Sequence, residues 1–384
     1  MGKNILIFIH YFYPGFAGGG STRSILNLAN RLSDTFYINI ITSDRDLDNK
    51  KPYDHIQKSN WLSIKNFNIF YNSPRLTSYY ELIKICRRSK NQILYFNSLY
   101  SFNYTIIPLL LQRFKIIPKS SIIVAPRGAL SPNAIRQDSL KNYFYLFFVK
   151  KLINQQEITW HATNAIELSF IKRLFGSQIK YFIASMLSNA NDPESAITGV
   201  PKHPGSLKII FLSRIAKIKN LIFVINILKS ITGLIELDIV GSIIDRDYWK
   251  ECLQIMKDVP KTIKISYKGP IEHADISETL RKYHLLFLPT LGENFGHVIY
   301  EAFSCSIPVL ISNLTPWKNL EFKGAGWDIP LENEEKFISI LQYMLTLNQD
   351  EYNLKTSNVS KYFRSIQSNT DEIEKIYRKV FEKL

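Results

Sequence analysis

Leu285-Leu286-Phe287-Leu288-Pro289-Thr290-Leu291-Gly292-Glu293-Asn294-Phe295-Gly296-His297-Val298-Ile299-Tyr300-Glu301-Ala302 is the segment whose reading decides the fold. A short apolar run stops at a proline, a turn follows, and helical spacing begins near Gly296. An unbroken apolar run bounded by breakers reads as a strand buried on both faces, with a helix as its crossover. The same alternation fills the chain. In the first half the strand candidates are Asn4–His10, Tyr37–Ser43, Asn68–Tyr71, Gln92–Ser98, Ser121–Ala125 and Thr159–Ala162. In the second they are Lys208–Ser213, Ile235–Val240, Ile263–Tyr267, Leu285–Pro289 and Pro308–Ser312. Such strands alternating with helices predict an α/β chain with parallel sheets covered on both faces.

A chain of 384 residues exceeds what one core usually serves, so two domains are expected. Asn189–Ser206 is the linker candidate. It holds Asn191-Asp192-Pro193, Gly199-Val200-Pro201 and His203-Pro204-Gly205, dense turn and breaker chemistry. The reading is an N-terminal Rossmann-like domain over 1–190, a second over 206–360, and a C-terminal helix over 361–384 packing back on the first. Doubly wound sheets bind ligands at the carboxyl ends of their strands. Functional residues are therefore sought in the loops there, on the walls of a cleft between the domains.

Composition narrows the class. Apolar residues make up 46%, so bulk disorder is excluded. The net charge of +15 is concentrated in residues 1–200, which carry 24 Lys and Arg against 11 Asp and Glu. A basic first half points to a polyanionic partner: nucleic acid, anionic lipid or a phosphorylated substrate. Cys86, Cys252 and Cys305 match no metal or redox spacing and fit a reducing compartment. The longest apolar runs, Tyr104–Leu111 and Tyr143–Val149, are too short to span a bilayer, and the N-terminus reads as a first strand, not a signal peptide. Leu140–Leu152 is aromatic and apolar and flanked by Lys141, Lys150 and Lys151. It reads either as a core helix or as a peripheral contact with anionic lipid.

Three loops carry candidate chemistry. After the first strand come Gly18, Gly19 and Gly20, then a helix over Arg23–Leu32 that Ser21 and Thr22 are suited to cap. Consecutive glycines let the backbone approach a phosphate, and the helix start favours its charge. After Lys208–Ser213 come Arg214 and Lys219, two cations suited to a pyrophosphate. After Leu285–Pro289 come Glu293 at the mouth and Glu301 about 9 Å deeper along the helix, able to accept hydroxyls from both ends of an extended ligand.

Glu293-x7-Glu301, with Arg214-x4-Lys219 before it, resembles the large retaining glycosyltransferase family 4. Gly18-Gly19-Gly20 and Thr315-Pro316-Trp317 fit too. Ala125-Pro126-Arg127-Gly128-Ala129-Leu130-Ser131-Pro132 looks like a loop of bacterial members that build surface polysaccharide. The resemblance spans nearly the whole chain. It implies the GT-B architecture of two facing Rossmann-like domains and sugar transfer from a nucleotide-sugar donor to a lipid-linked oligosaccharide acceptor. It assigns the donor diphosphate to Arg214 and Lys219, the ribose hydroxyls to Glu301 and the transferred sugar to Glu293. Asn294, Phe295 and Gly296 would add backbone contacts, and Gly269 would mark the nucleobase. Gly18, Gly19 and Gly20 would face the donor, and Arg127 and Gly128 would line the acceptor side. It departs at Asn220, where many members have glycine, and at Ser188-Asn189-Ala190, where many have an Asn-Gly turn. It departs again at Pro126-Arg127-Gly128, where many have a histidine.

The resemblance implies no metal and no cofactor. Asp44-Arg45-Asp46 and Asp245-Arg246-Asp247 have the Asp-x-Asp form but read as polar loops. Competing readings are a sugar-nucleotide epimerase of the same architecture and a non-enzymatic polyanion-binding protein, although no nucleic-acid recognition motif is present. The expected location is the cytoplasm, with peripheral contact at the inner face of the plasma membrane.

Overall fold

The computed structural model describes residues 2–15, 19–46, 51–54, 56, 60–64, 66–73, 76–88, 92–131, 139–153, 157–187 and 200–384; for 76–78 and 139–144 this covers the backbone. The chain forms two compact units. One comprises Met1–Asn189 with Thr370–Leu384, the other Ala190–Asn369. The boundary thus falls before the expected second domain. Lys202 is buried in that unit, its ammonium donating to the carbonyls of His203 (2.9 Å) and Leu347 (2.9 Å). The stretch after 200 is packed chain, not linker. The final helix runs over Gln349–Lys383, longer than the expected 361–384.

The first unit holds an eight-stranded sheet. Its strands are β1 Asn4–Phe8, β2 Tyr37–Ser43, β3 Trp61–Ile64, β4 Phe67–Asn72, β5 Gln92–Phe96, β6 Ser121–Val124, β7 Ile158–Ala162 and β8 Lys180–Ile183. The order is β3-β4-β2-β1-β5-β6-β7-β8, parallel except for the antiparallel edge strand β3. Alternate residues of β1 serve opposite faces. Leu6 and Phe8 join one core with Leu94, Phe96 and Trp160; Ile5 and Ile7 join the other with Ile25, Leu28, Tyr377 and Phe381. A strand buried on both faces must be apolar along its buried length, and β1 is so from Ile5 to Phe8.

The second unit holds β9 Ser206–Leu212, β10 Leu234–Val240, β11 Ile263–Gly269, β12 Leu285–Leu288, β13 Val309–Ser312 and β14 Gly326–Ile329. All are parallel, in the order β11-β10-β9-β12-β13-β14. That is the doubly wound Rossmann order, whose direction reverses between β9 and β12. The carboxyl ends of those two strands therefore flank the crevice where such sheets bind ligands.

Two sequence expectations change. The helix after the glycine run spans Gly20–Leu32 and is capped by Gly19 (φ 61°), so Ser21 and Thr22 lie inside it. Thr22 Oγ1 instead donates to the carbonyl of Tyr11, 2.8 Å away. The helix over Ser139–Ile153 is both core and surface: Val149, Leu152 and Ile153 are buried, while Phe147 and Phe148 are exposed. Among the described residues no helix is long and apolar enough to cross a membrane.

His284 links the second sheet to the segment before it. The Lys208 amide donates to its Nδ1 (3.0 Å), and its Nε2 faces the Pro201 carbonyl (3.3 Å), which fixes a neutral ring. Burial, reinforced by the Lys202 charge, lowers its pKa to about 4. The denatured chain takes up a proton below about pH 6.5 and the folded chain only near 4, so acidification across that window removes about 3 kcal/mol. Urea unfolding at about pH 7 and about pH 4.5 should show that loss in the wild type and a drop smaller by roughly 2–3 kcal/mol in His284→Gln. Equal drops would contradict this role.

Candidate functional site

The two loops that flank the reversal point of the second sheet are tied together by backbone and side-chain hydrogen bonds. The Ile218 carbonyl accepts from the Leu291 amide (2.8 Å) and from Thr290 Oγ1 (2.9 Å). Asn220 Nδ2 donates to the Pro289 carbonyl (3.0 Å). Behind them, the Glu293 amide donates to the Leu314 carbonyl (3.1 Å). The result is contact between side chains 74 residues apart: the Lys219 ammonium forms an ion pair with Glu293 Oε1. Lys219 is 13% exposed and Glu293 14%, so neither charge is solvated by bulk water alone.

Backbone conformation explains the residues around the pair. Asn220 adopts left-handed geometry (φ 61°) and caps the helix Leu221–Lys229. Glycine suits such a position, and asparagine is among the few side chains that tolerate it. The departure at residue 220 therefore preserves the turn and adds the bond to Pro289. Gly296 (φ 79°) caps the helix His297–Ser304, and a Cβ there would lie 2.8 Å from Ile299 Cδ1. Phe295 is held from below: Trp317 Nε1 donates to its carbonyl (2.5 Å), with the ring centroids 5.3 Å apart. That accounts for tryptophan in Thr315-Pro316-Trp317.

Glu301 lies one turn into this helix. Because the helix starts at His297, the rise to Glu301 is about 6 Å, not the expected ~9 Å. Its carboxylate is nearly buried and faces His273 Nε2 at 3.5 Å. His273 was not singled out in the sequence; it follows β11 and Gly269 (φ 79°) without a recognisable spacing to Glu301. Arg214 follows β9 and is exposed, with no side-chain partner among the described residues. The structure thus brings Lys219 and Glu293 together and places Arg214 and Glu301 in elements of the same unit that follow β9 and β12.

Gly19 and Gly20 open the first helix of the other unit; Gly18 lies outside the described residues, as do Ser188-Asn189-Ala190. Arg23, one turn on, is another residue the sequence reading missed. Burial lowers its pKa to about 10. Its signal was a cation in a first helical turn, where the backbone dipole disfavours it. Arg127 (φ 56°) follows β6. Its Nε donates to Asn97 Oδ1 (2.8 Å) and one terminal nitrogen to the Tyr95 hydroxyl (2.7 Å). Tyr95 in turn meets His161 Nδ1 (2.7 Å), and His161 Nε2 lies 2.9 Å from the Ala184 carbonyl. Burial and the Arg127 charge push the His161 pKa far down, so the ring is neutral. The Gly128 amide donates to Glu167 Oε1 (2.6 Å). Most of the donors expected to face an acceptor are engaged inside this unit and hold the loop's shape.

Neither Asp-x-Asp segment is an open carboxylate pair. Asp44 is buried, accepts from Ser73 and pairs with Arg45. Asp245 caps the helix Arg246–Met256 by accepting from the Tyr248 amide (2.9 Å), and Asp247 pairs with Lys250.

The fold is that of a two-unit α/β protein, and residues 195–358, most of the second unit, match the family model described as glycosyl transferases group 1. No curated protein matches the sequence. Among solved structures, the chain is similar to Alr3699/HepE of Anabaena, in complex with UDP and glucose, with a TM-score of 0.71 at 15% identity over 100% of both chains. It is similar to the sucrose-phosphate synthase tll1590 of Thermosynechococcus elongatus, with a TM-score of 0.76 at 12% identity over 100% of both. It also resembles WaaG, a glycosyltransferase involved in lipopolysaccharide biosynthesis, with a TM-score of 0.66 at 12% identity over 97% of this chain and 99% of that one. At these identities the likeness carries the fold alone.

The left-handed positions can be tested by thermal unfolding. Asn220→Gly should stay within about 1 kcal/mol of the wild type, whereas Asn220→Val should lose roughly 1–2 kcal/mol more. Gly296→Ala should cost about 1–3 kcal/mol. Equal melting temperatures across the set would contradict the geometry.

Proposed function

We propose that this protein transfers a sugar, with retention of anomeric configuration, from a nucleotide-sugar donor to a saccharide acceptor, and that it does so without a metal. The observation that carries the reading is the half-enclosed ion pair of Lys219 and Glu293 beside the reversal point of a group 1 glycosyltransferase domain. A UDP–glucose complex of the similar HepE structure supports the donor class.

In this reading the donor diphosphate gives Lys219 a second anionic partner, and Arg214 supplies another cation from its exposed position. The two stabilise the charge that grows on the leaving diphosphate, the task a metal performs elsewhere. Glu293, with the backbone of Asn294, Phe295 and Gly296, holds the transferred sugar. Glu301 takes the ribose hydroxyls, and Gly269 borders the nucleobase. Gly18, Gly19 and Gly20 present amides to the donor, and Arg127 and Gly128 shape the acceptor side. The acceptor hydroxyl oxygen bonds to the anomeric carbon on the face the diphosphate leaves. As the carbon–oxygen bond to the diphosphate breaks, one of its oxygens takes the acceptor proton. The charge-rich first unit and the Arg127 loop favour a lipid-linked oligosaccharide acceptor in surface-polysaccharide assembly, at the inner face of the plasma membrane.

A panel of nucleotide sugars tested for thermal stabilisation identifies the donor, because a ligand stabilises as the logarithm of its concentration over its Kd. With that donor, Lys219→Met, Arg214→Met and Glu293→Gln should each lower kcat/KM by about 100-fold or more. The anomeric proton coupling of the product should match the donor. Inversion, a glycosyl ester trapped on Glu293, or conversion of donor alone into its epimer would overturn the reading.

A further inference from the structure

We propose that the Arg113–Ile116 loop of the first unit is a docking surface for an anionic lipid bilayer. The helix Ile107–Arg113 ends in a tight left-handed cap. The Lys115 amide donates to the Gln112 carbonyl (3.0 Å) and the Ile116 amide to the Leu111 carbonyl (2.8 Å), with Lys115 at φ 57°. Glycine normally fills that position, and the apolar residue after it normally folds back against the helix. Here both rules are broken: a lysine occupies the left-handed site, and Ile116 remains 37% exposed. Phe114 beside it is 70% exposed. Arg87 Nε donates to the Ile116 carbonyl (2.9 Å), which pins the loop to the end of the helix Leu76–Arg88. The loop is therefore fixed, with an aromatic and an aliphatic side chain in water.

Charge selects the partner. Arg87, Arg88, Arg113 and Lys115 are exposed, and none has a carboxylate partner among the described residues. Leu82–Gln137 contains nine Lys and Arg and no Asp or Glu. Cations at helix ends answer the backbone dipole, but that does not account for Phe114 and Ile116 standing among them. Apolar tips ringed by basic side chains suit the boundary between acyl chains and anionic headgroups. The loop precedes β6, at the end of that strand away from Arg127, so docking surface and acceptor loop are separate. The inference deepens the membrane part of the reading above, and its test uses no activity, so it stands or falls apart from sugar transfer.

The test is flotation of the full-length protein with vesicles of phosphatidylcholine alone and with about 30 mol % phosphatidylglycerol. The wild type should float only with the anionic vesicles, and less at high salt. Lys115→Gly, which suits the backbone and removes one charge, should weaken the partition about fivefold. Phe114→Ser with Ile116→Ser should weaken it about tenfold or more, with the melting temperature unchanged. If that double variant loses stability, Arg113→Ser with Lys115→Gly carries the test, with an expected loss of about twentyfold. Binding to neutral vesicles alone, wild-type flotation of the variants, or retention on nucleic acid without flotation would overturn the proposal.

Discussion

A lysine and a glutamate facing each other in partial isolation from water are the constraint around which the second unit is arranged. Taking either charge out of solvent is costly unless the other is present, and removing one partner strands the remaining charge. Lys219 and Glu293 meet because β9 and β12 are neighbours and because Ile218 accepts from two groups on the opposite loop. The contact is a consequence of topology: residues far apart in sequence converge where the strand order reverses.

The same logic orders the supporting residues. Left-handed backbone at Asn220 and Gly296 turns the chain out of each strand end and into a helix. Trp317 holds the second turn through its hydrogen bond to the Phe295 carbonyl and its ring contact with Phe295. In the first unit the design differs. Arg127, Tyr95 and His161 form a chain of hydrogen bonds, and Tyr377 of the final helix reaches the same histidine at 3.2 Å. A cation is fixed there by neutral partners, so its charge is retained.

Much of this was legible in the sequence. Every strand recognised from a continuous apolar run exists, because a strand buried on both faces writes that pattern directly. The strands not recognised, β3, β8 and β14, all lie at sheet edges; exposed residues break the run in β3 and β8, and in the short β14 the glycine and Asp328 do. The candidate residues were found because carboxylates and cations beside strand ends stand out; their pairing was not, because spacing along a chain says nothing of contact across loops. His273 illustrates the limit, since only the fold brings it to Glu301. Gly19 illustrates another: side-chain preference favoured Ser21 and Thr22 as caps, but a glycine able to adopt φ 61° starts the helix earlier.

The most direct measurement is a double-mutant cycle on folding stability with Lys219→Met, Glu293→Gln and the two combined, without ligand. The account predicts a coupling of about 1–3 kcal/mol, with the double variant losing less than the sum of the singles. Additive losses would show that the two charges do not meet in solution, and the arrangement described here would fail with them.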